Sequence, residues 1–136
     1  MRKGFRFSVL LCLSTLALHA GFLDEENARA LKEKKLVLIS IESDTCPYCK
    51  KMKKEIFNST EYRTKIDQMY IYVPINTNDP SLPESLRTKY IPAHVILSPA
   101  KNAVLDAYAG YIDPKSFMEI LDENYKEAFQ QEEVVQ

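Results

Sequence analysis

The sequence predicts an α/β domain, in which helices cover both faces of a mixed sheet. Three observations support this fold class. Short runs rich in β-branched residues alternate along the chain with segments of helical periodicity. The last two predicted strands are separated by a turn short enough for an antiparallel hairpin. The chain of 136 residues is long enough for one domain with its own core.

Residues 1–20 differ in composition from the rest of the chain. A basic start is followed by an almost wholly apolar run over residues 7–18. That run is shorter than the roughly 20 residues that a membrane-spanning helix needs. The pattern therefore predicts a secretory signal peptide over residues 1–20 rather than a retained anchor, with cleavage after Ala20 favoured over cleavage after Ala17.

Export leaves a small acidic domain with two cysteines. The full chain has 18 basic and 19 acidic residues, and the loss of three basic residues with the signal leaves 15 and 19, a net charge of −4. A negative net charge argues against nucleic acid as a partner. Cys12 lies inside the apolar run and leaves with the signal, so only Cys46 and Cys49 reach an oxidising compartment.

The first half of the domain is predicted to be helix, strand and helix. Residues 22–34 are rich in helix formers, and acidic residues near their start suit the positive end of the helix dipole. Residues 36–41 are a short β-branched run, which is typical of a buried central strand. A helix is expected from Pro47, whose missing N–H costs nothing in a first turn. A second helical piece covers residues 61–69.

The second half is predicted to supply three more strands and the closing helix. Pro74 cannot donate to a strand ladder, so its strand is expected to lose pairing at that end. Asp113 is suited to cap the last helix and Pro114 to begin it. The strands are placed at residues 70–75, 93–97 and 103–110, the helices at 84–90 and 114–129, the whole domain at 21–130 and a disordered tail at 131–136.

The motif TCPYC places two cysteines where a strand is predicted to run into a helix. The free N–H groups and the dipole of a helix start favour an anion, so the pKa of Cys46 is expected to be lowered. Cys49 follows one turn later, where it can attack a mixed disulfide on Cys46. A structural disulfide would close too small a ring to stabilise much, and a zinc site needs about four ligands, of which this pair supplies two. We therefore predict a redox pair, with Cys46 as nucleophile and Cys49 as resolving thiol.

Several segments together resemble a known family. TCPYC at the strand-to-helix turn, KYIPAHVIL further along and YAGYIDPKSFMEIL near the end are similar to the motifs of the thioredoxin superfamily. CPYCKKMKKE in a short exported chain resembles in particular the SoxW-like thioredoxin-related proteins of the bacterial periplasm. The resemblance covers residues 30–130. It implies a thioredoxin-like fold, which is a mixed four-stranded sheet flanked by helices, here with an N-terminal helix.

The resemblance also implies substrate contacts around the cysteine pair. In the superfamily a cis proline faces the cysteines, and the residue before it offers its backbone to a bound substrate chain. Pro92 and Ile91 occupy those two positions here. Pro47 and Tyr48 lie between the cysteines, with Tyr48 expected at the rim of the site. Gly110 matches the glycine that closes the last strand of the family.

The chain departs from the family at the position of a buried acid. Thioredoxins use that acid to move protons for the resolving thiol, and Ser40 stands there in this chain. Glu42, Asp44 and His94 are candidate replacements. Strand alternation places His94 on the face of Pro92, which makes it a candidate proton acceptor. The alternative is a core histidine bonded to the backbone.

These predictions combine into an exported, periplasmic thiol–disulfide oxidoreductase. It would act on protein thiols and disulfides as a monomer, without a dissociable cofactor or a metal, and exchange electrons with a membrane-bound redox partner. The absence of an inserted substrate domain favours a reductase over an oxidase. The alternative is a thioredoxin-fold copper chaperone that holds Cu(I) with Cys46, Cys49 and His94. Anaerobic titration of the reduced protein with Cu(I) separates the two functions.

Overall fold

A computed structural model describes residues 21–130 of the chain, and the predicted signal peptide and tail lie outside those residues. This part of the chain contains four α-helices and four strands. A π-helical segment, Lys53–Phe57, continues the second helix, and a 3-10 turn, Glu84–Leu86, precedes the third strand. The elements are α1 (Asp24–Glu33), β1 (Leu36–Glu42), α2 (Pro47–Met52), α3 (Thr60–Met69), β2 (Tyr70–Asn76), β3 (Ala93–Ser98), β4 (Ala103–Ala109) and α4 (Pro114–Gln130).

The four strands form one mixed sheet in the order β2-β1-β3-β4. β1 pairs in parallel with β2 and antiparallel with β3, and β3 and β4 form the antiparallel hairpin expected from the short turn between them. A β-bulge shifts the register of this hairpin at Ile96 and Leu97. The predicted fold class, a mixed four-stranded sheet flanked by helices, is therefore confirmed.

Helices cover both faces of the sheet because β1 is apolar on both sides. Alternate residues of a strand point to opposite faces. Leu36 and Leu38 pack with residues of α2, α3 and α4 in one buried cluster, whereas Val37, Ile39 and Ile41 pack with α1 in the other. A near-continuous apolar run is what a central strand covered on both faces requires. The run LVLISI thus encodes the position of β1 at the centre of the sheet.

Two strand ends meet where the cysteine motif begins. β1 and β3 run antiparallel, and Ile41 near the end of β1 pairs with Ala93 at the start of β3. The chain that leaves β1 enters the cysteine motif, and the chain that enters β3 comes from Pro92. The sheet topology therefore brings Cys46 and Pro92 to the same end of these two strands, although the two residues are far apart in the sequence.

Two local predictions are wrong. Pro74 does not end the pairing of β2, because the register with β1 continues through Ser40 and Pro74 to Glu42 and Asn76. β2 is an edge strand, where one row of backbone N–H groups has no ladder partner, so a proline is accommodated. The helix predicted over residues 84–90 is reduced to the 3-10 turn, which buries none of its side chains. Helices this short gain little without tertiary packing.

Within residues 21–130, no helix combines the length and the apolar character that crossing a bilayer requires.

Candidate active site

Cys46 caps the start of α2, as the sequence predicts. Its backbone is extended, Pro47 occupies the first turn, and the Cys49 N–H donates to Cys46 Sγ at 3.1 Å. The backbone N–H of Lys50 donates to the Cys46 carbonyl at 3.1 Å and continues the helix. The Cys46 sulfur therefore lies at the positive end of a helix, where a thiolate is stabilised when the cysteine is reduced.

Cys46 and Cys49 form a disulfide, and their Cα atoms are 5.2 Å apart. The two cysteines differ in exposure. Cys46 is 9% exposed and Cys49 is 4% exposed, while Pro47 and Tyr48 between them are exposed. Cys46 is thus the more exposed of the two residues.

A second loop faces Cys46 from the start of β3. The Ile91–Pro92 peptide bond is cis. The Ile91 carbonyl oxygen lies 3.8 Å from Cys46 Sγ. Gly110, at the end of β4, donates its N–H to the Pro92 carbonyl at 2.7 Å and adopts φ +91°, a conformation that favours glycine. The structure thus brings together Cys46, Ile91, Pro92 and Gly110.

His94 lies in the core under α2. It is 1% exposed, and Ser40 Oγ lies 3.0 Å from its Nδ1 atom while Met52 Sδ lies 3.4 Å from its Nε2 atom. Phe117 packs edge-on against the ring. Burial lowers the pKa of His94 to about 4, so the imidazole is neutral at pH 7. The hydrogen-bond partner of His94 is thus the Ser40 hydroxyl rather than a backbone group, and each ring nitrogen has a neighbouring side chain in the fold.

A partly buried ion pair stands beside Cys49. Lys53 Nζ lies 2.6 Å from Glu42 Oε1, and only 16% of the Glu42 side chain is exposed. Both residues line a cavity of about 270 Å³ together with Cys49. The remaining lining residues are Ser43, Asp44 and Lys50. The sequence named Glu42 as a candidate proton acceptor, but nothing in its spacing indicated Lys53 as its partner.

Tyr111 is a residue of the site rim that the sequence analysis missed. Its ring lies 6.0 Å from that of Tyr48, and Lys51 Nζ lies 4.2 Å from the Tyr111 ring centroid. Its hydroxyl donates to Glu55 Oε2 at 2.6 Å, and this hydrogen bond is the main cause that raises the pKa of Tyr111. The tyrosine follows Gly110 directly, which was the available signal for its place near the site. The rim therefore combines two tyrosine rings with a lysine and a glutamate.

The described residues offer the cysteine pair no third ligand for a metal. Among residues 21–130, no group of three or more His, Cys, Asp or Glu side chains is arranged to hold a metal ion. His94, the third ligand of the copper alternative, has its ring nitrogens against Ser40 and Met52.

Comparison with known proteins agrees with this geometry. Residues 23–124 match the sequence profile of a family described as a thioredoxin-like domain. No curated protein matches the sequence at a significant level. Among solved structures, a thioredoxin from Thermus thermophilus is 20% identical with a TM-score of 0.63, covering 73% of this chain and 80% of its own.

Two further solved structures are similar. The periplasmic thioredoxin SoxS from Paracoccus pantotrophus is 22% identical with a TM-score of 0.51, covering 69% of this chain and 99% of its own. The reduced C-terminal domain of DsbD from Neisseria meningitidis is 21% identical with a TM-score of 0.58, covering 75% of this chain and 93% of its own. At such identities the similarity shows the fold alone. Because the family profile matches most of the chain, the protein belongs to the thioredoxin superfamily, as a member of the thioredoxin-like domain family.

Proposed function

We propose that the protein is an extracytoplasmic thiol–disulfide oxidoreductase that acts on protein cysteines, and that it works as a reductase. The observation that carries the proposal is the Cys46–Cys49 disulfide at the start of α2. So small a disulfide ring stabilises a fold little. A catalytic use of the pair explains its position better than a structural use.

The geometry supports a reaction in two steps. In the reduced protein the Cys46 thiolate attacks a substrate disulfide, so that one substrate sulfur bonds to Cys46 and the other leaves as a thiolate. Cys49 then attacks Cys46 Sγ, the intramolecular disulfide forms and the second substrate sulfur leaves. Two electrons pass from the cysteine pair to the substrate, and the released thiolates take up protons from water.

Cys46 is the nucleophile in this reaction because of its surroundings. The Cys49 N–H points at Cys46 Sγ. A hydrogen bond to the charged form of a group favours that form. Cys46 is also the more exposed of the two cysteines. Cys49, which is more deeply buried and one turn further along α2, suits the second step.

The rim of the site supports a polypeptide as substrate. The Ile91 carbonyl lies beside Cys46, where it can accept a hydrogen bond from a backbone N–H of an extended substrate chain. Tyr48 and Tyr90 are both exposed large aromatic side chains. Exposed tyrosines supply rigid contact area with a polar end. A protein segment that carries a disulfide would contact all three residues.

The predicted signal peptide supports a place outside the cytoplasm. SoxS, one of the similar structures, is described as a periplasmic thioredoxin, and another is a domain of DsbD. A reductase in an oxidising compartment needs a continuous supply of electrons. We therefore propose a membrane-bound redox partner that reduces the Cys46–Cys49 disulfide after each turnover.

Trapping experiments test the function. A Cys49→Ala protein should accumulate mixed disulfides with partner proteins, because the resolving thiol is missing, whereas the matched Cys46→Ala protein should accumulate none. If the Cys49→Ala protein captures no partner through Cys46, the proposed function is wrong.

The direction of the reaction is tested in cells. Acid quenching followed by alkylation records the redox state of the pair, and a reductase should be found mostly as the dithiol. A mostly oxidised pair would indicate an oxidase. Equilibration with glutathione buffers gives the potential, which we expect near the middle of the range from about −270 to about −120 mV.

A further inference from the structure

The end of β1 carries a carboxylate in an unusual position. Glu42 is largely removed from solvent, and its nearest counter-charge is Lys53 at 2.6 Å. Lys53 begins the π-helical segment that continues α2, so the pair links the central strand to the helix of the cysteine motif. Acidic residues are seldom buried without a partner, because a desolvated charge is costly.

The cavity beside this pair reaches Cys49. Its volume is about 270 Å³, and Glu42, Cys49 and Lys53 all line it, so the resolving cysteine and the carboxylate share one cavity. A buried water needs a polar site with room for roughly 10–15 Å³. The cavity therefore has room for water molecules between Cys49 and Glu42. Cys49 is otherwise nearly closed to solvent.

The resolving step requires a proton acceptor at this place. Cys49 must lose its thiol proton before its sulfur can attack Cys46, since the thiolate is the nucleophile in disulfide exchange. A buried thiol in apolar surroundings gives up its proton reluctantly. A carboxylate that lines the same cavity as Cys49 can accept this proton over a shorter path than bulk solvent can.

The other polar groups near the strand are less suited to accept it. Ser40 has a hydroxyl, which is not a base at neutral pH, and it is hydrogen-bonded to His94. His94 does not line the cavity and has a lowered pKa because it is buried. Tyr72 on β2 has a raised pKa, first because it is buried and then because of the charge of Glu42. Tyr72 therefore stays protonated at neutral pH.

The charged groups that line the cavity with Glu42 lie on α2, on the π-helical segment after it and on the loop before it. Lys50 and Lys53 supply positive charge, and Asp44 supplies a second carboxylate at the cavity wall. Asp44 is exposed, so bulk water surrounds it. Glu42 is the carboxylate that combines restricted exposure with a fixed position.

We propose that Glu42 is the proton acceptor for Cys49, and that Lys53 is a positioning residue that holds its carboxylate at the cavity. The inference rests on the proposed function. In the mixed disulfide, the Cys49 thiol passes its proton through water to the Glu42 carboxylate. The Cys49 sulfur attacks Cys46 Sγ, the Cys46–Cys49 bond forms and the bond to the substrate breaks. The electron pair of that bond leaves on the substrate sulfur, and the proton on Glu42 returns to solvent.

Glutathione disulfide separates the two steps. The reduced protein, in a Cys12→Ser background so that no other thiol is present, is mixed with glutathione disulfide and quenched in acid at successive times. Mass spectrometry then counts reduced protein, the glutathione adduct at Cys46 and the intramolecular disulfide. The growth of the adduct reports attack by Cys46, and its decay reports attack by Cys49.

We expect Glu42→Gln to prolong the adduct at pH 7 at least ten-fold, because a positioned general base contributes about 100-fold or more. The rate of adduct formation should change less than two-fold. Adduct decay should rise more steeply with pH in the variant than in the wild type, because hydroxide from solvent must then take the proton of Cys49. Glu61→Gln is the matched control, because Glu61 also pairs with a lysine, at 2.9 Å, but on α3 and outside the cavity.

Lys53→Met provides a test that does not depend on Glu42→Gln folding. Without the cation, the Glu42 carboxylate is no longer held at the cavity. Adduct decay should therefore slow several-fold in Lys53→Met, and Lys53→Arg should restore it. Unchanged adduct decay in a folded Glu42→Gln protein or in a folded Lys53→Met protein overturns the inference. Failure of the wild type to form the adduct would instead overturn the proposed function.

Discussion

His94 should make the stability of the fold depend on pH between about 6.5 and about 4. An unfolded histidine has its ordinary pKa of about 6.5, whereas burial lowers the pKa of His94 in the fold to about 4. Between these values the unfolded state binds a proton that the folded state does not. Stability is therefore fully present above pH 6.5 and is lost as the pH falls.

The size of the effect follows from the two pKa values. Each unit of difference is worth about 1.36 kcal/mol. Integrating the difference in bound protons from pH 7.5 to pH 5 predicts that His94 alone lowers the free energy of unfolding by about 2 kcal/mol.

Urea denaturation of the oxidised protein at pH 7.5 and pH 5 measures this change. His94→Gln is the matched variant, because an amide can still bond to Ser40 but does not titrate. The wild type should lose about 2 kcal/mol more than the variant between the two pH values. Equal losses in both proteins, or a His94 pKa above 6 in an NMR titration of the folded protein, would refute the reasoning.

Two further predictions concern the cysteines and the core. Alkylation of the reduced protein at mildly acidic pH should label Cys46 before Cys49, because Cys46 lies at the helix start and is the more exposed cysteine. Earlier labelling of Cys49 would contradict the assignment of the nucleophile. Tyr70→Phe should lower the free energy of unfolding by about 1 kcal/mol in urea titrations, because the buried Tyr70 hydroxyl donates to the Leu121 carbonyl at 2.6 Å, and an unchanged stability would show that this bond contributes nothing.

The sequence predicted best those structural features that depend only on a few neighbouring residues. The run LVLISI identifies β1 because both of its faces are apolar, and Pro47 after Cys46 marks the start of α2. Asp113 caps α4 by accepting a hydrogen bond from the Ser116 N–H at 3.1 Å. Each of these features depends on neighbours along the chain, so no tertiary information was needed.

The missed features depend on contacts between distant segments. Ser40 and His94 face each other only because β1 and β3 pair in that register. Glu42 and Lys53 are 11 residues apart and meet across the turn between strand and helix, outside the spacings that a single helix or strand brings together. The effect of Pro74 depended on β2 being an edge strand, which the order of the strands decides.

The two edge strands of the sheet, β2 and β4, differ in the feature that hinders pairing with a strand of another protein. An exposed strand edge is a template for aggregation or for pairing with a second copy, and natural proteins blunt it with prolines or bulges. Pro74 is exposed on β2 and removes one donor from that strand, and the bulge at Ile96 and Leu97 interrupts the regular pairing beside β4. Neither edge strand therefore offers a long regular row of unpaired backbone N–H and C=O groups to another strand. If the proposed function is correct, a substrate polypeptide with unpaired backbone groups can reach the Cys46–Cys49 pair without being added to the sheet as a further strand.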